Sequence, residues 1–144
     1  MKLSEAGYDI IKHFEGLKLD AYQCSAGVWT IGYGHTRNVK QGDTITEEQA
    51  DRFLEQDVKA TVKFVNLYVR VELTQQMFDA LCSFVFNVGV GAFRNSTMLR
   101  LLNRGNYDKV LLEFGRWVNV NGKESNGLKM RRKMEAELFG SELL

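Results

Sequence analysis

A chain of 144 residues that is 44% hydrophobic and 26% charged has the length and apolar content of one compact domain, which excludes a disordered chain. Nineteen Lys and Arg against 18 Asp and Glu leave a formal charge of +1, too small for a global pull toward nucleic acid. No apolar run approaches the roughly 18 residues of a membrane span, and Met1 to Gly7 lacks a basic and apolar leader, so the expectation is a protein soluble where it is made.

Ser4 is placed to cap a helix over residues 5–14, with Ile10, Ile11 and Phe14 on one face and Gly16 as its stop. Glu15 then sits at a helix C-terminus, where the dipole disfavours a carboxylate and holds its proton more tightly. Such a position suits an acid. Leu17, Leu19 and Ala21 alternate with Lys18, Asp20 and Tyr22, Ser25-Ala26-Gly27 supplies turn chemistry, and Val28 to Thr36 resumes an extended pattern, so a β-hairpin is predicted. Gly32 and Gly34 inside its second strand point to a bend, or to something approaching the backbone closely. Arg37 to Thr44 forms a polar loop. Thr46 and Gln49 make a capping box that opens a helix running to about Leu67, with Ala50, Phe53, Leu54, Val58, Val62 and Val65 along one stripe.

Thr74 caps a helix over Gln75 to Val88 with few polar positions, which belongs in the centre of the core. Gly89 and Gly91 close it. Further helices are expected over Thr97 to Arg104, Tyr107 to about Val118 and Leu128 to Phe139, the last two separated by an exposed loop from Asn119 to Gly127. The basic excess of the second half gathers between Arg116 and Lys133, a face suited to a polyanion. Cys24 and Cys82 lie in different elements and read as free thiols, Cys82 as a small core residue. The class is α+β, with a groove between two lobes as the natural place for a ligand.

Glu15, then eight residues, Cys24, then five residues, Thr30, set in Glu15-Gly16-Leu17, Tyr22 and Thr30-Ile31-Gly32-Tyr33-Gly34-His35, resembles the catalytic motif of the phage-type lysozymes, or endolysins, glycoside hydrolase family 24. The resemblance continues in order through Phe78-Asp79-Ala80-Leu81, Phe86-Asn87-Val88-Gly89, Ser96-Thr97-Met98-Leu99, the Trp117 segment and Gly127-Leu128 to Arg131-Arg132, Glu135 and Leu138-Phe139. It implies a lysozyme-like fold over residues 1–144 as one domain. A small β lobe of about residues 15–45 would be joined by the helix from about 46 to 67 to a helical part of residues 1–14 and 46–144, with the active site in the cleft between lobes.

The implied activity is hydrolysis of the β-1,4 bond between N-acetylmuramic acid and N-acetylglucosamine in peptidoglycan, without metal or cofactor. Glycoside hydrolysis needs a protonated carboxyl for the leaving oxygen and a second group that activates water or stabilises the oxocarbenium-like transition state. Glu15 matches the acid, and Thr30 the residue that holds the attacking water. Cys24 stands where the family more often has aspartate, and is expected to act as a thiolate. Phe86 and Asn87 are implied in substrate binding. His35 is expected to tie hairpin to helix through a carboxylate. Arg131 is expected to pair with Glu15, the alternative being that Lys129 to Lys133 is a solvated basic face.

The partners implied are peptidoglycan glycan strands, with no nucleic acid and no membrane span, and a monomer is expected. The protein would stay in the host bacterial cytoplasm until a holin opens the way to the wall. Loss of the aspartate leaves a second possibility, a catalytically silent module that only binds glycan.

Overall fold

The computed structural model describes residues 1–141 and divides into two compact units, one built from residues 9–60 and the other from residues 1–8 together with residues from Thr61 onward. Two helices, α1 (Glu5–Glu15) and α2 (Glu47–Tyr68), each contribute residues to both. The class is α+β, mostly helical with two small antiparallel sheets.

In the unit of residues 9–60, β1 (Lys18–Gln23) pairs with β2 (Trp29–Gly32) through Lys18↔Gly32, Tyr22↔Thr30 and Gln23↔Trp29, with an irregularity between Lys18 and Tyr22. A third stretch joins β1 from its other side: Ile45 N–H donates to the Leu19 carbonyl and Ala21 N–H to the Asp43 carbonyl, each at 2.9 Å. The second strand is shorter than its sequence pattern suggests. It stops at Gly32, and the chain turns so that Ile31 and His35 exchange both backbone hydrogen bonds at 2.9 Å. The capping box forms as two reciprocal bonds, Thr46 N–H to Gln49 Oε1 at 2.9 Å and Gln49 N–H to Thr46 Oγ1 at 3.2 Å, satisfying donors that the start of α2 would otherwise leave open. Ile11, Ile31, Ala50, Leu54 and Val58 are buried.

The other unit is helical. α3 (Gln75–Val88) is capped by the Thr74 hydroxyl, and every residue from Met77 to Val85 is buried, as its unbroken apolar run requires. Around it lie α4 (Val90–Arg94), α5 (Thr97–Asn103), α6 (Tyr107–Glu113) and α7 (Asn126–Gly140), with Phe78, Phe84, Phe93, Phe114 and Phe139 fully buried. Phe84 meets Phe93, Phe114 and Trp117 edge-on at centroid distances of 6.3, 5.4 and 5.5 Å, the arrangement that aromatic quadrupoles favour. Two details differ from the sequence pattern. Gly89 and Gly91 do not simply close α3, because α4 begins between them. The 119–127 loop contains a hairpin of β3 (Asn119–Val120) and β4 (Lys123–Glu124), and Ser125 rather than a later residue caps α7. The N-terminus is held by Ser4, whose N–H and hydroxyl both bond the buried Asp79 carboxylate, while Gln75 donates to Asp79 Oδ1 at 2.8 Å.

Candidate active site

Glu15 is the last residue of α1, and Gly16 N–H closes that helix on the Lys12 carbonyl at 2.9 Å. The Glu15 carboxylate is set against the turn that follows β2. At Gly34 the backbone is in the left-handed region, φ +81°, and a Cβ there would stand 2.9 Å from Glu15 Oε1. Glycine is therefore required twice over at this position, once by its torsion and once by the carboxylate it faces.

Cys24 follows β1 directly. Its N–H donates to the Val28 carbonyl at 2.9 Å, its carbonyl accepts from Gly27 N–H at 2.8 Å, and Thr30 Oγ1 donates to the same Val28 carbonyl at 2.9 Å. The thiol is only partly buried. Hydrogen bonds from the backbone at Val28 and then Ala26 hold it below the ordinary thiol value of 9.0 by favouring the thiolate. Because Tyr22 and Thr30 are register partners in the antiparallel pair, their side chains share one face of the hairpin. The Tyr22 phenol is pushed up, first by burial and then by the charges of Glu15 and Cys24. A thiol biased toward thiolate, a threonine hydroxyl and a phenol thus belong to one small hairpin, with the Glu15 carboxyl at the end of α1 near enough to act on the phenol through its charge.

His35 Nδ1 is 2.8 Å from Asp57 Oδ2 on α2, and its ring stacks on Phe53 at 4.2 Å. The remaining nominated residues lie in the other unit. Phe86 is half-buried and Asn87 exposed near the end of α3. Arg131 is buried, donating from Nε to Glu135 Oε2 at 3.2 Å and from Nη2 to the Ser83 carbonyl at 3.0 Å. Arg132 is buried beside it, so the basic run of α7 is solvated only at Lys129, Met130 and Lys133. Glu135, fully buried, has its carboxyl pushed up by burial against the opposing pull of Arg132, Ser83 and Arg131. Among the described residues no group of three or more His, Cys, Asp or Glu side chains is placed to hold a metal ion, and no helix is long and apolar enough to cross a membrane.

A protein-family model described as phage lysozyme matches residues 12–135. The chain belongs to the phage lysozyme family. It is 49% identical over 145 residues to an endolysin of Acyrthosiphon pisum secondary endosymbiont phage 1, covering 98% of this chain and 99% of that protein. The solved structure of an endolysin from an Escherichia coli O157:H7 phage superposes with a TM-score of 0.89 at 45% identity, covering 96% of this chain and 93% of that one. Two Bacillus phage endolysins, 44% and 46% identical, are longer, and the chain spans 54% and 56% of their length. This phage lysozyme is a glycoside hydrolase that acts on peptidoglycan.

One feature of the phage lysozyme's site escapes sequence reasoning. Tyr22 is part of the motif but is given no role there, and the cross-strand register with Thr30 and the charges of Glu15 and Cys24 acting on it show its place beside them. Asp20, the polar alternate four residues before Cys24, is exposed and bridges to Thr44.

Proposed function

We propose that this phage lysozyme cleaves the β-1,4 bond between N-acetylmuramic acid and N-acetylglucosamine with Glu15 as proton donor, Thr30 as the holder of water and the Cys24 thiolate as the second catalytic group. The observation that supports this is the Glu15 carboxyl set against Gly34 in the turn after β2, on the same small unit as a hairpin whose Cys24 thiol is held toward its anion by backbone N–H groups and whose Tyr22, the register partner of Thr30, feels the charges of both Glu15 and Cys24. In the reaction, Glu15 gives its proton to the leaving glycosidic oxygen as the bond to the anomeric carbon breaks. Water on Thr30 attacks that carbon and passes a proton to the Cys24 sulfur, and exchange with solvent restores both groups. Thiolate charge also opposes the positive charge that develops on the sugar ring.

Digestion of purified sacculi followed by mass analysis tests the reading. Fragments ending in reducing N-acetylmuramic acid are expected, whereas anhydro ends would make the enzyme a transglycosylase and overturn the water step. Access to the wall belongs to the same proposal, which draws on the endolysin relatives: the protein gathers in the host cytoplasm, acts as a monomer and reaches peptidoglycan once a holin opens the inner membrane. Expression alone should leave cells with intact membranes unlysed, and prompt lysis under those conditions would contradict this route.

A further inference from the structure

The guanidinium of Arg132 spends its donors in three directions. Nη1 bonds Glu135 Oε1 at 2.6 Å, Nε bonds the Trp117 carbonyl at 3.1 Å, and Nη2 bonds Asn87 Oδ1. Its plane lies over the Phe84 ring, 4.9 Å from the centroid, and only 2% of the residue is exposed. A guanidinium in this setting has no rotational freedom and can only donate. Asn87 must therefore turn its oxygen toward Arg132, which leaves its NH2 group directed away, with no acceptor among the described residues.

Asn87 borders a groove of about 450 Å³ whose other walls include Val88, Trp117, Val120 and Leu128, with Arg116 at its edge. Arg132 thus bonds two residues that border one groove, through the Asn87 amide oxygen and the Trp117 carbonyl. The groove is also lined by Asn119, and an N–H donor beside its apolar residues Val88, Trp117, Val120 and Leu128 is the complement of an amide: the carbonyl accepts, and the flanking carbon lies on the apolar surface. Peptidoglycan offers such a group twice, in its acetamido substituents and in its stem peptides.

We infer that Arg132 is a positioning residue for substrate binding, orienting the Asn87 amide so that it donates to a substrate amide carbonyl in this groove, an inference that rests on the peptidoglycan reading above. Glu135 is needed because a lone buried guanidinium would be uncompensated. The arrangement explains why Asn87, exposed at the surface, is tied to a buried ion pair.

The test measures kcat and KM on purified sacculi, together with sedimentation binding to the same sacculi in a Glu15→Gln background. Asn87→Asp keeps an oxygen toward Arg132 and deletes both donors, so KM and the dissociation constant should rise about three- to tenfold, the range for one lost hydrogen bond, with no drop in melting temperature. Arg132→Lys keeps a charge against Glu135 but lacks the planar fork that reaches Glu135, Trp117 and Asn87 at once, so it should raise KM similarly, and the double variant should show less than the sum of the two effects. A purely structural Arg132 would lower melting temperature and leave KM of the folded protein alone. Glycan strands stripped of peptide separate the two carbonyls: an effect kept on stripped strands assigns the acetamido group, and one confined to intact sacculi assigns the peptide. Wild-type KM and binding in Asn87→Asp on both substrates overturn the inference while leaving the Glu15 reading untouched. Binding that responds to Asn87→Asp in a wild type without turnover supports the groove and fails the hydrolase reading alone.

Discussion

Gly34→Ala separates the two things that glycine does in this site. The torsion of φ +81° places an L-residue in the left-handed region, at a cost of about 1–2 kcal/mol. With 144 residues, the unfolding entropy near the midpoint is about 0.3 kcal/mol per degree, so the melting temperature should fall by about 3–7 °C. The added methyl would also stand 2.9 Å from Glu15 Oε1, where ordinary contact begins at 3.4 Å. A carboxylate at the end of a flexible side chain yields at little energetic cost, so this contact adds little to the stability loss. It shifts the proton donor by about 0.5–1 Å instead, and a misplacement near 1 Å is enough to lower the rate by about a hundredfold. Gly105→Ala is the matched control: φ is +73°, and a Cβ there meets nothing within 4 Å. Calorimetry and sacculus turbidity on the two variants should give similar losses of melting temperature, with activity lost only in Gly34→Ala. Equal specific activities in the two folded variants would refute the placement of Glu15 against this turn.

Cys24→Asp should preserve or raise activity and move the optimum to lower pH, because an unperturbed carboxyl ionises near 3.9, far below the ordinary thiol range near 8.5. Cys24→Ala should lose at least about tenfold across the pH range, and a rate equal to wild type would make the thiol a bystander. Glu135→Gln leaves Arg131 and Arg132 buried against a neutral group, for an expected loss of about 3–5 kcal/mol, read as a lower urea midpoint. Cys82→Ser puts a hydroxyl at a fully buried position whose thiol burial already pushes strongly upward, and should cost about 1–3 kcal/mol with turnover per folded molecule unchanged.

Helix starts were the most legible features of this chain, because a cap is a local event. The hydroxyls of Ser4, Thr46 and Thr74 are all found accepting from the N–H three residues on. The helical stripe of α2 and the continuous apolar run of α3 likewise carry their burial in their spacing. What escaped was set by distant partners. Lys129 to Lys133 looks the same whether solvated or buried, and the groups that draw Arg131 and Arg132 inward, Ser83 and Asn87, lie 48 and 45 positions away along the chain. The helix at Val90–Arg94 and the 119–124 hairpin are too short for periodicity to register. Glu15, Cys24 and Thr30 are nominated by the motif resemblance. Nothing in the local pattern announces that Gly34 faces the carboxylate, or that the N–H groups of Val28 and Ala26 turn toward the thiol.

Glu15→Gln offers the most direct test of the central claim, that one carboxyl at the end of α1 supplies the proton for glycosidic cleavage. The substitution keeps the side-chain shape and removes the transferable proton, so a protein with wild-type melting behaviour and undiminished binding to sacculi should clear them at least about a hundredfold more slowly. Clearance at the wild-type rate by folded Glu15→Gln would contradict the account.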